Sequence, residues 1–332
     1  MKKYLFFFIL IYCFQNLFFN CASEKKQTIQ IEPVIKIGMT NQWAPYGILI
    51  VAQEKGFFKK YGVNVELTLT KNFDELHKLY KSKKLDGIAT LFADSILLHG
   101  QNNPSKIVYI INISEGADAI IAKPNYKNLA SLKNKKISFD GINSFSHILV
   151  IHSLINNGLD ENDYFFENIP VAEVLKKLEE NTIQAGFIHE PYLSEALKKG
   201  YKIIYSTKES KDIIIDVLTF HSKTIKEQKK EIQKIINALY ETQNFIMKNQ
   251  QEAYSIISQK MDLSIADVSS TFEKVKIPDL HFSLNLMDFE TQSELLNSAK
   301  FIADFYINRG QVAYVININS LFDRSFLNQI EK

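Results

Sequence analysis

Asn41, Gln42, Trp43 and Tyr46 fall within the stretch Thr40 to Tyr46, which gathers two amides, the only Trp of the chain and a phenol. Amides that both donate and accept, set beside aromatic faces, suit the wall of a small-molecule pocket. A Trp is also a common core filler, but this one sits between an apolar strand and a helix rather than inside either. A second stretch, Phe139-Asp-Gly-Ile-Asn-Ser-Phe-Ser-His-Ile148, reads as a strand end, a turn and a helix start. Asn143 tolerates a positive φ, Ser144 or Ser146 can cap the helix, and free amides at its positive end suit an anion. That helix start is therefore a candidate anion contact, although an ordinary capped helix with an exposed His147 fits the same residues. In Ile188-His189-Glu190-Pro191, Glu190 either holds an amine or ring nitrogen or simply favours the start of the helix opening at Pro191. His189 reads as a supporting donor rather than a catalyst. Asp94, after Leu91-Phe92-Ala93, is either a pocket residue or a helix cap.

The elements that must position these residues alternate. Val34 to Met39 is a strand, and Ile48, Leu49, Val51 and Ala52 give a helix its apolar face before it stops at Gly56. Val63, Val65 and Leu67 alternate with polar residues as a second, half-buried strand. Loops at the carboxyl ends of parallel strands in an open α/β sheet bind ligands, which sets the Asn41–Tyr46 loop in place for recognition. Further on, helical spacing from Phe73 to Leu79, a buried strand from Leu85 to Leu91, a helix beginning at Ser95 to Leu98 and a strand from Ile107 to Ile113 continue the pattern. Strands at Ile137 to Phe139, Phe165 to Ile169, Gln184 to Ile188 and Ile203 to Tyr205 interleave with helices at Ser146 to Leu154, Val171 to Leu178 and Pro191 to Leu197. The fold class is α/β. From Lys223 helix follows helix: Ile232, Ile235, Ile236 and Leu239 form a stripe, Ser264-Ile-Ala-Asp267 resembles a capping box, and Glu290 to Ile307 runs to Gly310. There is no convincing internal repeat.

With 332 residues and 46% hydrophobic content, the chain can bury the cores of two lobes. Its formal net charge is +2, and removing Lys2 and Lys3 with the amino-terminal leader leaves 37 basic residues against 37 acidic ones. Such a balance gives no electrostatic reason to hold nucleic acid or to lie on an anionic membrane. Lys2 and Lys3 precede the apolar runs Tyr4 to Tyr12 and Leu17 to Phe19, an export leader too interrupted to span a membrane comfortably. The polar stretch Glu24 to Pro33 reads as a tether.

Trp43 to Glu66 resembles the opening module of the bacterial ABC-transporter substrate-binding proteins of the nitrate, sulfonate and taurine type, the NMT1/THI5-like family. Ser114-Glu-Gly-Ala-Asp-Ala-Ile-Ile-Ala-Lys-Pro124 resembles that family's first domain crossover, and Asp216-Val-Leu-Thr-Phe220 its return crossover. Gln184-Ala-Gly-Phe-Ile-His-Glu-Pro-Tyr-Leu193 resembles its Asp-Ala-x-x-x-Trp-Glu-Pro-Tyr segment, with Ile188-His189 where an aromatic often precedes the Glu. The resemblance spans residues 34 to 330. It implies a two-lobe, type II periplasmic-binding-protein fold, each lobe a mixed sheet flanked by helices, with a C-terminal helical extension. Residues 1–20 would be a lipoprotein signal peptide, 21–33 the tether, 34–117 and 216–332 the first lobe, and 118–215 the second. Cys21-Ala-Ser resembles the lipidation site of bacterial lipoproteins, departing from it at Phe18 and Asn20.

The family implies a solute held between the lobes by Asn41, Gln42, Trp43, Tyr46, Leu91, Phe92, Asp94, Glu115, Ser144, Phe145, Ser146, His147, His189, Glu190 and Asp216. At the crossover, Glu115 and Asp118 either steer ligand or stabilise the hinge. An aliphatic sulfonate, taurine or nitrate is the first expectation, and an aminopyrimidine thiamin precursor or another heterocycle the second. No cofactor and no metal is expected. The partners would be an ABC permease with its ATPase and, through the lipid, a membrane; the protein would be an extracytoplasmic (periplasmic) monomer. The chain carries no Gly-x-Ser-x-Gly, His-Glu-x-x-His or phosphate-loop motif, and it lacks the cysteine-rich segment of the related fungal pyrimidine synthases, so no catalysis is expected. A third class, a surface lipoprotein serving as sensor or host contact, would be marked by a fixed lobe arrangement without ligand.

Overall fold

The computed structural model describes residues 33–288 and 293–330. The leader, Cys21 and most of the tether lie outside the described residues, as do Glu290 to Gln292 of the expected last helix. The strands are β1 (Val34–Thr40), β2 (Asn64–Thr70), β3 (Gly87–Leu91), β4 (Ser105–Ser114), β5 (Asp118–Ala122), β6 (Lys136–Phe139), β7 (Phe165–Asn168), β8 (Ala185–His189), β9 (Lys202–Ser206), β10 (Ile215–His221) and β11 (Val275–Lys276). They form two mixed sheets, ordered β11-β4-β10-β3-β1-β2 and β7-β6-β8-β5-β9.

In the first sheet β1 pairs in parallel with β2 and β3, while β10 inserts antiparallel between β3 and β4. In the second, β6 pairs in parallel with β7 and β8, and β5 lies antiparallel between β8 and β9. Each sheet thus receives one crossover strand, β10 or β5, running against its parallel core, with the short β11 also antiparallel at the edge of the first sheet, and the chain passes between sheets through Glu115–Ala117 and again through residues 207–214. This has a direct consequence for the site. The start of an antiparallel insert lies beside the last residue of a parallel strand, so Asp216, the second residue of β10, is opposite Leu91 of β3 and Asp118, the first of β5, opposite His189 of β8.

Helices α1 (Gly47–Glu54), α2 (Phe57–Lys60), α3 (Phe73–Lys81) and α4 (Phe92–Gly100) connect the first sheet; α5 (Phe145–Asn156), α6 (Val174–Glu179) and α7 (Tyr192–Lys198) connect the second. The C-terminal region adds α8 (Ser222–Glu227), α9 (Lys229–Lys248), α10 (Gln250–Met261), α11 (Ile265–Phe272), α12 (Leu280–Leu286) and α13 (Ser293–Asn308). The expected stripe of α9, Ile232, Ile235, Ile236 and Leu239, is fully buried, and the helix packs on α1 and α2. Ser264 caps α11 through the Asp267 amide at 3.0 Å. Close strand spacing requires glycine at one central position: a Cβ on Gly87 would lie 2.5 Å from the Phe220 ring and 2.9 Å from the Thr219 carbonyl.

Differences from the sequence reading are local. Helix α4 starts at Phe92 rather than Ser95, directly from the extended Leu91. The segment from Val171 opens as a 3-10 turn before α6, and the two-residue β11 is too short to show any periodicity.

Candidate functional site

The two sheets face each other across a cleft lined on one side by Thr40, Gln42, Trp43, Tyr46, Phe73, Leu91, Ile214 and Asp216, and on the other by Asp118, Phe145 and His189. It encloses about 400 Å³ including its open mouth. Rings meet across it: Trp43 approaches His189 edge-on at 6.1 Å, and Phe73 approaches Phe145 at 6.5 Å. An occupant must therefore be small or part the lobes.

Each lining residue follows from its element. Thr40 ends β1, the next residues turn into a 3-10 segment at Ala44–Tyr46, and this turn brings Trp43 to the rim and buries Tyr46 beneath it. The Tyr46 hydroxyl donates to Asp216 Oδ1 at 2.5 Å. Burial raises Asp216 to about 7, against the stabilising Tyr46 hydroxyl and Asn112 amide; the Asp118 charge raises it further and the Trp43 indole lowers it. Burial also pushes the Tyr46 phenol well up, with Asp216 adding to the shift. The Trp43 Nε1 and the Asn112 amide act on Asp216 without completing a hydrogen bond of normal geometry to any of the described residues.

Asp118 is only 2% exposed and its Oδ2 has no partner among the described residues. Burial raises it to about 6; the His189 charge and Ser114 hydroxyl oppose the rise, and Glu190 adds to it. His189 donates from Nδ1 to the Glu190 carbonyl at 2.7 Å, leaving Nε2 as the second nitrogen of a ring that lines the cleft. Among the described residues no Lys or Arg lines the cleft.

Of the residues expected at the site, Gln42, Trp43, Tyr46, Leu91, Phe145, His189 and Asp216 line the cleft. The others have different surroundings. Asn41 lies at the same loop, tied through its amide to the Thr70 carbonyl. Phe92 packs inward against Phe322. Asp94 sits behind the floor, accepting from Thr90 Oγ1 at 3.2 Å and facing His77 at 3.5 Å; burial raises its pKa and His77 holds it down. Glu115 is exposed outside the cleft.

The α5 start is occupied with its own chain. Ser144 Oγ donates to the Asp140 carbonyl at 2.6 Å and accepts weakly from the His147 amide at 3.5 Å, while Ser146, fully buried, donates to the same carbonyl at 2.7 Å. His147 is not exposed, as the plain capped-helix reading would have it, but stacks on Phe139 at 3.9 Å and accepts from the Asn143 amide. Burial, with Arg309 nearby, lowers it to about 4. Asn143 does take the positive φ, 61°.

Glu190 is fully buried, paired with Lys274 and bonded by Ser194 Oγ at 3.0 Å. Its carboxylate is thus already neutralised from the C-terminal region.

Thr40, Phe73 and Ile214 are cleft residues that the sequence reading did not single out. Asp118 and Asp216, both named at the crossovers from the sequence, stand at the first residue of β5 and the second of β10. Among the described residues no group of three His, Cys, Asp or Glu is placed to hold a metal, and no helix is long and apolar enough to cross a membrane.

Residues 32–259 match the NMT1-like family, more than half of the chain, and the chain belongs to that family. A curated relative, the nitrate import ATP-binding protein NrtC of Synechocystis sp. (strain ATCC 27184 / PCC 6803 / Kazusa), is 25% identical over 178 residues, 48% of this chain. The match covers only 27% of that relative's length. The periplasmic aliphatic sulphonate binding protein SsuA from Escherichia coli is similar in structure with a TM-score of 0.73 at 16% identity, over 87% of this chain and 91% of that one. The periplasmic nitrate-binding protein NrtA from Synechocystis PCC 6803 gives a TM-score of 0.65 at 15% identity, over 90% of this chain and 86% of that one. The shared feature at these identities is the fold: two mixed sheets flanked by helices, with a helical C-terminal region, as in periplasmic binding proteins.

Proposed function

We propose that this chain is the extracytoplasmic solute-binding component of an ABC importer, holding one small solute between its lobes and delivering it to a permease driven by an ATPase. It works as a monomer, performs no chemistry, and is anchored through a lipid on Cys21 and the tether that follows. The observation that carries this reading is the convergence of both sheets' strand ends on one cleft, where Trp43, Tyr46, Phe145 and His189 offer aromatic faces and Asp118 and Asp216 offer buried carboxyls. The sulfonate- and nitrate-binding names of the structural neighbours, and the nitrate-import name of the curated relative, support the importer class.

The cleft lining favours the second ligand expectation, a flat nitrogen heterocycle, over the first. An anion 4 Å from one carboxylate meets a repulsion of about 4 kcal/mol at an effective dielectric of about 20, and no lining Lys or Arg offsets it. The hydroxyls of Ser144 and Ser146, which would have received an anion, are engaged with the Asp140 carbonyl. Calorimetric titration with taurine, alkanesulfonates, nitrate and aminopyrimidines tests this: measurable heat is expected from the last group, and saturable binding of a sulfonate or nitrate would restore the anionic reading. The anchor is tested by Cys21→Ala, which should release the protein from membranes or leave it unprocessed; unchanged processing and partitioning would count against the lipid.

A further inference from the structure

Resting on the reading that this cleft is the solute site, we propose that the solute enters as a small cation bearing N–H donors, and that Asp118 is its ionic partner. The two crossover strands each present a buried carboxyl, and they differ in how fully their oxygens are bonded. Asp216 accepts the Tyr46 hydroxyl. Asp118 lines the same cavity at 2% exposure; the Ser114 hydroxyl acts on its carboxyl, while Oδ2 has no partner among the described residues. A buried carboxylate oxygen without a donor is unfavourable unless something supplies one, and an N–H carried by a positive charge does so most strongly.

The charged and titratable groups facing Asp118 are His189, Glu190 and Asp216, and Lys274 already neutralises Glu190. Among the described residues, His189 is thus the one basic side chain lining the cleft beside Asp118 and Asp216, and no Lys or Arg joins it. Its aromatic lining adds to this preference: Trp43, Phe73 and Phe145 all border the cleft, and an aromatic face attracts a flat cation.

Guanidinium, urea and nitrate are planar and close in size but differ in charge, so they separate this proposal from simple shape selection. Binding of each, with methanesulfonate as a fourth probe, would be followed by NMR titration at constant ionic strength in the wild type and in Asp118→Asn. Guanidinium should bind about 10-fold or more tightly than urea, nitrate and methanesulfonate should bind more weakly than either, and Asp118→Asn should reduce guanidinium affinity about 10-fold or more while leaving urea unchanged. The wild-type charge ranking stands on its own if the variant does not fold. Guanidinium no tighter than urea, a preference for nitrate or methanesulfonate, or unaltered guanidinium binding in a folded Asp118→Asn would overturn the cation assignment. The binding-protein reading fails separately, if neither these probes nor any solute from a host extract is retained.

Discussion

Asp118 and Asp216 stand at equivalent places on two crossover strands, and their neighbours separate their roles. Because burial raises Asp216 to about 7, the folded protein keeps a proton that the unfolded chain releases near pH 4. The stability this gives is complete below about pH 4 and is lost as pH rises through about 7. The melting temperature of the wild type should therefore fall more steeply from pH 5 to pH 8 than that of Asp216→Asn, followed by circular dichroism; parallel curves would show that Asp216 is ionised throughout. Ser144 and Trp43 give a second contrast. Ser144→Ala removes a cap and should cost about 1 kcal/mol of stability with solute affinity intact, whereas Trp43→Ala should weaken solute binding with little change in melting. Calorimetry and thermal melts on both variants decide, and lost affinity at unchanged stability in Ser144→Ala would make the α5 start a ligand anchor after all. Trp43, Tyr46 and His189 were legible because loops after parallel strands can be recognised from pattern. The use of a serine hydroxyl was not: Ser144 and Ser146 satisfy the Asp140 carbonyl, a contact that sequence gives no means to prefer over a ligand.

At the scale of elements, the strands and helices could be read from periodicity, but their order in the sheets could not. Strand β10 inserts between β3 and β4 from more than a hundred residues away, and its place rests on pairings such as Phe220 with Gly87 rather than on local preference. Gly87→Ala tests that pairing directly. The added methyl would meet the Phe220 ring and the Thr219 carbonyl, costing about 1–3 kcal/mol through overpacking and lowering the denaturant midpoint. An unchanged midpoint would mean that β10 does not lie against β3 in this register. Short elements were the ones missed, because two residues of β11 or a single 3-10 turn cannot display a period.

At the scale of the molecule, the crossovers are stapled beside the cleft: Thr207 Oγ1 meets Ser114 Oγ at 2.8 Å and accepts from the Gly116 amide at 2.8 Å. Lys274, next to β11 of the first sheet, pairs with Glu190 at the end of β8 in the second. Helix α13, which packs on α4, also reaches the second sheet's helix α5, with Phe305 against His147 at 5.2 Å and Phe301 against His152 at 4.8 Å. These contacts bridge the two sheets, and a solute favours closure only by what it adds in the closed form over the open one. Small-angle scattering should show the protein contracting when solute saturates it, and an unchanged curve with a tightly bound solute would assign the lobes a fixed arrangement, as in a sensor or host-contact protein. The central claim, that the cleft holds one small solute, is tested most directly by native mass spectrometry of the protein after incubation with a metabolite extract of its host. One adduct per chain, released as a single small molecule on collisional activation, is the predicted result; a protein that keeps the mass of the bare chain throughout would contradict it.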